Sequence, residues 1–456
     1  MTHTNHYPLV ESLSRRDWLR LSTAGFAACS MSGWLEALAD STLADSQARP
    51  ARGRSCILLW MAGGPSQLDT FDLKPGHANG GQFKPIDTSV SGIKISEHLP
   101  SLAKHAEHLA IVRSMTTKEG DHSRGTYLMR NGYLPQGPIR YPTLGSVVSK
   151  QLGRPAAEIP NFVSIGPYRF FSPQAYSAGF LGSEYDPLLV GDGTAGGGSR
   201  DDNYGLKVAD LEPNREAASQ VTRRLELLGS LNDRFVGRHQ VSLAVGHRIA
   251  YDRAVRLMQS EAGRAFNLDD EPDEIRDAYG RHRFGQGCLL ARRLVERGVP
   301  FVEVTLSGVA GNDMALGWDT HTDNFAAVRR LSGALDSGWS MLLQELKERG
   351  LLATTTIVWM GEFGRTPAIN ASGGRDHFPA AWSTVLAGGG VRGGQVIGRT
   401  SADGTTVEDR PVTVADLLAT VCMSLGIDRE VSNISNIGRP IKVVNPDAKP
   451  IHEALA

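Results

Sequence analysis

The chain has 456 residues, of which 41% are hydrophobic and 21% charged, so it has enough apolar side chains for a folded core. Its 48 Lys and Arg residues are balanced by 49 Asp and Glu residues, which excludes a nucleic-acid-binding protein that depends on a basic surface. Only four cysteines are present and none form a C-x-x-C pair, which excludes a disulfide scaffold and a cysteine-ligated zinc site.

The N-terminus has the pattern of an export signal. Arg15 and Arg16 precede a weakly apolar run at 19–35, and the A-x-A sequence at 37–39 follows as a cleavage site. This order is that of a secretory signal, and the paired arginines indicate the twin-arginine route. A transmembrane anchor is the alternative, but the run is interrupted by polar residues and is short for a ~30 Å hydrocarbon core. We expect a periplasmic or secreted protein with no integral membrane span after cleavage.

Strands and helices are predicted to alternate along the rest of the chain. Short, continuous apolar runs at 55–62 and 109–112 are typical of strands buried on both faces, and further strands are predicted at 161–165, 300–306, 354–360 and 382–387. Apolar residues at helical spacing occur at 144–152, 323–349 and 413–425. The alternation predicts the α/β class, with a mostly parallel central sheet and helices on both faces.

Most of the chain is predicted to form one domain. The region 212–297 is mostly helical in pattern, and a Gly/Asp-rich stretch at 190–205 precedes it as a surface loop. No internal repeat or clean linker divides the chain. We therefore expect an export signal at 1–39, a polar linker at 40–54, a single α/β domain at 55–445 with a helical insertion at about 205–295, and a C-terminal tail at 446–456.

Acidic residues and histidines follow four of the predicted strands. Ligands of open α/β sheets bind beyond the carboxyl ends of the strands, so these residues are candidates for one shared site. The candidates are Asp69, then His122, Ser123 and Arg124, then Asp319 and His321, then Glu362, Arg365, Arg375, Asp376 and His377. Carboxylates and imidazoles bind zinc, manganese or calcium, and arginines bind tetrahedral anions. The pattern predicts one or two divalent metal ions.

Each of these residues has a structural alternative when it is considered alone. Asp69 follows G-G-P-S and could cap a turn or a helix. Asp319 could be a helix N-cap and His321 an ordinary surface histidine. Arg375 with Asp376 and His377 could form an ion-paired loop. Their joint occurrence after strands favours the site.

The sequence resembles the alkaline phosphatase-like superfamily, which includes phosphatases, sulfatases, phosphodiesterases and cofactor-independent phosphoglycerate mutases. Within it, the chain is most similar to an uncharacterised exported bacterial family of sulfatase-like proteins. The resemblance covers about residues 50–430. It is carried by GGPSQLDTFD at 63–72, DHSRGTYLMRNGYLP at 121–135, WDTHTDN at 318–324, GEFGRTP at 361–367, GRDHFP at 374–379 and GGGVRGGQVIG at 388–398.

The resemblance implies a set of metal ligands. Asp69 matches the first metal-binding aspartate, and Asp319 with His321 matches the ligands of the other metal. Glu362 stands where the superfamily has an Asp-His pair, but phenylalanine follows it, so one histidine ligand is missing at that point. His377, together with Asp376, resembles the late histidine ligand. A one-metal or altered site is therefore implied.

The resemblance also places a nucleophile at a helix N-terminus after the second strand, where the helix dipole and a metal would lower the hydroxyl pKa. Ser123 is the candidate, with Thr117 and Thr116 behind it, and a helix N-cap is the alternative role for Ser123. His122 could be a ligand or could itself occupy the nucleophile position. No cysteine lies in a C-x-P-x-R motif, so a formylglycine nucleophile is not expected.

The function implied is that of an exported metal-dependent hydrolase of phosphate or sulfate esters, with a small-molecule or polysaccharide substrate. Arg365, Arg124 or Arg375 would stabilise charge on the ester oxygens. Two alternatives remain open: a non-catalytic envelope binding protein on the same fold, and a phosphotransferase or mutase. The sequence makes no prediction of the oligomeric state.

Overall fold

The computed structural model describes residues 55–135, 137–154, 157–191, 205–208, 211, 218–238, 242–309 and 317–456. The predicted export signal, the polar linker and most of the Gly/Asp-rich loop lie outside these residues. Within the described ranges, no helix has both the length and the apolar character needed to cross a membrane.

The strands are short and the helices vary widely in length. In chain order, the strands are β1 Ser55–Met61, β2 Pro85–Asp87, β3 Lys94–Ser96, β4 Leu109–Met115, β5 Phe162–Ile165, β6 Leu188–Val190, β7 Phe301–Leu306, β8 Thr355–Met360, β9 Gly364–Arg365, β10 His377–Phe378, β11 Trp382–Gly388, β12 Gln395–Ile397, β13 Arg399–Thr400, β14 Val407–Asp409, β15 Ser432–Ile434 and β16 Pro440–Lys442. The helices are α1 His122–Asn131, α2 Leu144–Leu152, α3 Ala218–Arg238, α4 Ser242–Gln259, α5 Asp273–Tyr279, α6 Arg283–Glu296, α7 Asn324–Glu348 and α8 Val414–Ser424.

Eight of the strands form one central sheet in the order β12-β4-β11-β8-β1-β7-β5-β6. β1 pairs in parallel with β7 and β8, β5 with β6 and β7, and β12 with β4. β11 is antiparallel to both of its neighbours, β4 and β8. The chain passes from β8 to β11 through the small β9–β10 hairpin, without the crossover helix that a parallel connection needs. The predicted mostly parallel α/β class is confirmed.

Two hydrophobic cores cover the two faces of the sheet, and the alternation along β1 shows how. Ile57, Leu59 and Met61 face one core, which includes residues of α6 and α7 such as Leu289 and Leu342. The residues between them face the other core, which includes residues of α2 and α8. A strand buried on both faces favours apolar side chains on both, which is why residues 56–62 are apolar without a break.

Local sequence determines where the major helices begin and end. Thr413 caps α8 through a reciprocal capping box with Asp416, and Gly350 takes a positive φ of 71° just past the end of α7. The range predicted as an insertion contains α3, α4 and α5, whereas most of α6 packs in the first core. In the last residues of the chain, Ile451 and Ala454 are fully buried in the second core.

Candidate metal centre

Three histidine side chains from three separate segments converge on one carboxylate oxygen, Oδ1 of Asp319. Oδ1 of Asp319 lies 3.2 Å from Nε2 of His122, 3.0 Å from Nε2 of His321 and 3.2 Å from Nε2 of His377. His122 is the first residue of α1, Asp319 and His321 follow β7, and His377 lies in β10. We call His122, His321, His377 and Asp319 the histidine cluster.

The other ring nitrogen of each histidine faces a hydrogen-bond acceptor. Nδ1 of His377 lies 2.8 Å from the Gly120 carbonyl oxygen, Nδ1 of His321 lies 2.7 Å from Oδ1 of Asp376, and Nδ1 of His122 lies 2.7 Å from Oε1 of Glu362. Carbonyl and carboxylate oxygens only accept hydrogen bonds, so each Nδ1 carries the hydrogen and donates it. In a neutral ring, each Nε2 then presents its lone pair toward the cluster.

Three nitrogen lone pairs and a carboxylate oxygen at this spacing repel each other unless protons on the Nε2 atoms or a metal ion lie between them. Nε2 of His321 and Nε2 of His377 are only 3.1 Å apart, and Nε2 of His122 has no hydrogen bond of acceptable geometry. Ligands around a tetrahedral zinc ion, with bonds of about 2.0–2.1 Å, lie about 3.3 Å from each other. The ligand atoms of His122, Asp319 and His377 all lie within 4.8 Å of one another, and His321 contacts two of these three residues. Spacing and donor chemistry therefore fit a divalent metal, with the Nδ1 acceptors orienting the rings from behind.

The charges around the cluster perturb its ionisable groups. Burial raises the pKa of Asp319, but contacts with His122, His377 and Arg365 outweigh it and hold that pKa well below its usual range. Burial lowers the pKa of His122, but the carboxylates of Asp319 and Glu362 outweigh it and raise that pKa to about 9. Protons and a metal ion would thus compete for the same imidazole nitrogen.

Arg365 links Asp319 to the loop after β1 through hydrogen bonds. Its guanidinium donates to Oδ1 of Asp319 at 2.5 Å, to the Gly64 carbonyl at 3.0 Å and to the Gly63 carbonyl. Its main chain exchanges two hydrogen bonds of 2.9 Å with the side-chain amide of Gln67. The guanidinium is fully buried and its donors are engaged within the protein, so Arg365 positions Asp319 and the loop after β1.

A second buried pair lies nearby. Nε and Nη2 of Arg375 donate to the two carboxylate oxygens of Asp69, at 2.8 Å and 3.2 Å. Asn324 donates to the same carboxylate at 2.9 Å. Both oxygens of Asp69 are therefore bound by protein donors. Among the described residues, the group that could hold a metal ion together consists of His122, Asp319 and His377, and Asp69 lies outside it.

The remaining predicted site residues lie at the surface of α1. Ser123 is exposed in the first turn, and the cap of this helix is Asp121, whose Oδ1 accepts from the Arg124 main-chain nitrogen at 3.0 Å. The Arg124 guanidinium binds Glu119 with both arms, at 2.6 Å and 3.0 Å, and is half exposed. The helix N-terminus still directs its positive end toward the carboxylates of the site, through His122.

Two glycines allow the loops of the site to approach closely. Gly64, after β1, has a φ of 77°, and a Cβ there would lie 2.7 Å from the Phe363 carbonyl oxygen. A Cβ on Gly374 would lie 1.9 Å from the His321 carbonyl oxygen. Larger residues at these positions would push the ligand-bearing loops apart.

Burial decreases across the site in one direction. The side chain of Glu362 is fully buried, those of Asp319 and His122 are 6% and 12% exposed, and that of His321 is 43% exposed. A ligand therefore reaches the cluster from the His321 side. Oε2 of Glu362, at the buried end, has no hydrogen-bond partner.

Some residues of the site carry no recognisable signal in the sequence. Gln67 lies in a predicted loop, and only the structure shows that it holds Arg365. Phe363 tilts against His122 and Phe171 stacks on it, with ring centroids 4.9 Å and 4.0 Å away. The only available clue to Phe171 was its place after a predicted strand.

The chain belongs to the family described as "Protein of unknown function (DUF1501)", whose profile matches residues 53–455. The comparison with curated proteins gives no match. The family match agrees with the predicted resemblance to an uncharacterised family.

Solved structures similar to this chain include members of the predicted superfamily. The lipoteichoic acid synthase LtaP from Listeria monocytogenes is 9% identical, with a TM-score of 0.37 over 84% of this chain and 74% of its own. The PsFucS1 sulfatase from Pseudoalteromonas sp. is 14% identical, with a TM-score of 0.38 over 87% and 72%. A protein in the alkaline phosphatase superfamily from Vibrio parahaemolyticus is 11% identical, with a TM-score of 0.39 over 83% and 67%. Similarities this distant assign no function to the present chain.

Proposed function

We propose that this protein is an exported hydrolase of phosphate or sulfate esters that depends on one divalent metal ion. The observation that carries the proposal is the convergence of three Nε2 atoms on Oδ1 of Asp319, each ring being held by an acceptor at its Nδ1. His122, His321, His377 and Asp319 would bind the ion, and Glu362 and Asp376 would orient two of the rings.

A single ion is favoured over two. The carboxylate of Asp69, the other predicted aspartate ligand, is bound with both oxygens by the Arg375 guanidinium. That guanidinium already supplies the positive charge at the position. His122, reaching in from α1, supplies an imidazole beside Glu362, where the residue after Glu362 is phenylalanine.

The metal would polarise the ester oxygen and activate the attacking hydroxyl or water. The chain's own residues do the rest: Arg365 fixes Asp319, and the acceptors at Nδ1 keep each histidine in the ligating tautomer. Ser123, exposed in the first turn of α1 next to His122, is the proposed nucleophile, with water as the alternative. We further propose a small-molecule or polysaccharide ester as substrate and export by the twin-arginine route.

One observation favours a second function. Arg365 and Arg375 are fully buried and bind carboxylates and carbonyls of the protein itself, so neither guanidinium is open for an ester. The Arg124 guanidinium is half exposed, but two of its nitrogens are already bound to Glu119. A metal-holding envelope protein that binds a ligand without hydrolysing it is therefore the second candidate.

Metal content and turnover together test the proposal. We expect the full chain to hold about one equivalent of zinc, manganese or calcium by elemental mass spectrometry and to hydrolyse p-nitrophenyl phosphate or p-nitrophenyl sulfate. Asp319→Asn should lose both properties, because it removes the charge at the centre of the cluster. Asp87→Asn is the matched control, since the Asp87 side chain is 82% exposed in a surface pair with Lys94.

The outcomes separate the two candidates. A wild-type chain that binds none of the three metals excludes the metal centre, and with it the hydrolase. A chain that binds one metal through Asp319 but turns over neither ester leaves the binding protein.

A further inference from the structure

The loop after β5 carries three aromatic rings beside the histidine cluster. The ring centroids of Tyr168 and Phe171 lie 4.9 Å apart. The Phe170 centroid lies 6.2 Å from that of Tyr168 and 6.1 Å from that of Phe171. We call Tyr168, Phe170 and Phe171 the aromatic wall. Phe171 stacks on the His122 ring at 4.0 Å with an interplanar angle of 5°, so the wall is continuous with the candidate metal centre.

The wall is anchored at its base. The Tyr176 hydroxyl donates to the Tyr168 carbonyl at 2.8 Å, and the Arg130 guanidinium lies 3.8 Å from the centre of the buried Tyr176 ring. The loop therefore holds its rings in place through contacts with the protein interior. A ring presented in this way is pre-organised for contact with a ligand.

The outer ring of the wall is open to solvent. Phe170 is 78% exposed, more than any other large hydrophobic side chain that the structure describes. Exposed apolar side chains scattered singly need no explanation, but this one extends a cluster of rings that ends at a candidate ligand of the metal. A connecting loop at the carboxyl edge of a sheet is also where recognition residues are expected.

We propose that Phe170 determines substrate specificity by stacking against a flat, apolar ring in the alcohol portion of the ester. The inference rests on the proposed function, because it takes the ester head group to lie at the histidine cluster. The wall offers ring faces and edges, which favour an aromatic group in offset or edge-to-face contact. Of the two proposed substrate classes, the inference therefore selects a small-molecule ester that carries such a ring.

Binding of non-hydrolysable ligand pairs tests this inference. One pair is 2-naphthylmethylphosphonate and methylphosphonate, and the other is 2-naphthalenesulfonate and methanesulfonate, so each pair shares a head group and differs in the ring. We expect the zinc-supplemented full chain to bind one naphthyl ligand more tightly than its methyl partner by titration calorimetry. Phe170→Ala should reduce that advantage about three- to tenfold and leave the methyl ligand unchanged.

Two further variants make the result specific. Phe170→Tyr keeps a ring and should keep the naphthyl preference, and Ile434→Ala removes another exposed hydrophobic side chain, 65% exposed in β15, and should change nothing. Equal affinity for the members of both pairs in the wild type overturns the inference. So does a naphthyl preference that survives in Phe170→Ala, or the failure of all four ligands to bind.

Turnover of p-nitrophenyl phosphate and p-nitrophenyl sulfate, measured on the same preparations, separates this inference from the proposed function. If the chain hydrolyses either ester but shows no ring preference, the proposed hydrolase activity stands and the role of Phe170 is wrong. If it shows a ring preference that depends on Phe170 but hydrolyses neither ester, the role of Phe170 stands and the hydrolase activity is wrong.

Discussion

Two clusters of charged side chains within the fold differ in how their polar atoms are paired. Between α6 and α7, the helical ion network consists of Arg292, Arg293, Arg349, Glu271, Glu296 and Glu345. Arg292 alone binds three carboxylates, at 2.6 Å, 2.8 Å and 3.0 Å. Arg293 and Arg349 bind the remaining oxygens, so every carboxylate oxygen faces a guanidinium. These three carboxylates are therefore fully paired within the protein, and Arg293 also contacts Asp270, at 3.5 Å.

The histidine cluster lacks this balance. Its three Nε2 atoms and Oδ1 of Asp319 are crowded together as acceptors, while Oε2 of the buried Glu362 has no partner. Buried polar groups in native proteins are normally paired, and in the histidine cluster Arg365 donates to Oδ1 of Asp319. The comparison teaches that a matched ion network serves the fold, whereas a cluster in which acceptors outnumber their paired donors is a candidate binding site.

The largest effect is expected from a substitution that disrupts the helical ion network. Arg292→Met leaves three glutamates short of a cation, and breaking a buried ion pair from one side costs about 3–5 kcal/mol. We expect a fall of that size in the free energy of unfolding, measured by urea denaturation. Arg281→Met is the control, because Arg281 binds Asp273 and Asp277 at the surface, and it should leave the urea midpoint unchanged. Equal losses in the two variants would contradict the assigned role of the network.

A smaller effect sharpens the view of the histidine cluster as a metal site. Glu362→Gln keeps an oxygen that can accept from Nδ1 of His122 but removes the charge behind the ring. Loss of such an orienting partner typically lowers metal affinity about 10- to 100-fold, and we expect zinc affinity to fall in that range. Competition with a chromophoric chelator measures it.

Glu430→Gln serves as the control, since Glu430 pairs with Lys442 at the surface. Unchanged zinc affinity in Glu362→Gln would mean that Glu362 does not support a bound metal.

The smallest expected effect is on the stability of the fold at acidic pH. Burial raises the pKa of Glu271, but hydrogen bonds from Arg292 and Arg293 outweigh it and lower that pKa below the usual value. Glu271 therefore stabilises the fold above its unfolded pKa of ~4.3, and this contribution is lost as the pH falls through the lower folded value. We expect the wild-type melting temperature to fall more steeply below about pH 4.3 than that of Glu271→Gln.

The exposed residue Glu261 supplies the matched control. Glu261→Gln should retain the wild-type acid dependence, because its side chain is 89% exposed. Parallel curves of melting temperature against pH for Glu271→Gln and the wild type would mean that the two arginines do not lower the pKa of Glu271 in the folded protein.

Much of the fold was predictable because its central strands are buried on both faces. Residues 56–62 and 357–360 are apolar without a break for that reason, and Thr413 is followed three residues later by the aspartate of a capping box. The direction of β11 was not predicted. The absence of a helical pattern between β8 and β11 was the available signal, because a parallel return requires a crossover.

The candidate site was only partly predictable. His122, Asp319, His321 and His377 could be singled out because acids and histidines that follow strands reach one edge of the sheet. Whether Glu362 and Asp376 contact a metal or a histidine depends on distances of a few ångströms, which spacing along the chain does not encode. The exposure of Phe170 depends on tertiary packing and was equally hidden.

The wide separation of the ligands along the chain has a consequence for how the protein is made. The segments that contribute His122 and His377 leave the ribosome at different times. Asp69 and its partner Arg375 are likewise separated by 306 positions in the sequence. A partly synthesised chain that ends before β10 lacks His377 and therefore holds no complete histidine cluster. A metal ion that needs all of these ligands would bind only in the last steps of folding. If the chain binds the proposed metal and is exported in the folded state, the metal supply of the compartment where it is synthesised would select the ion.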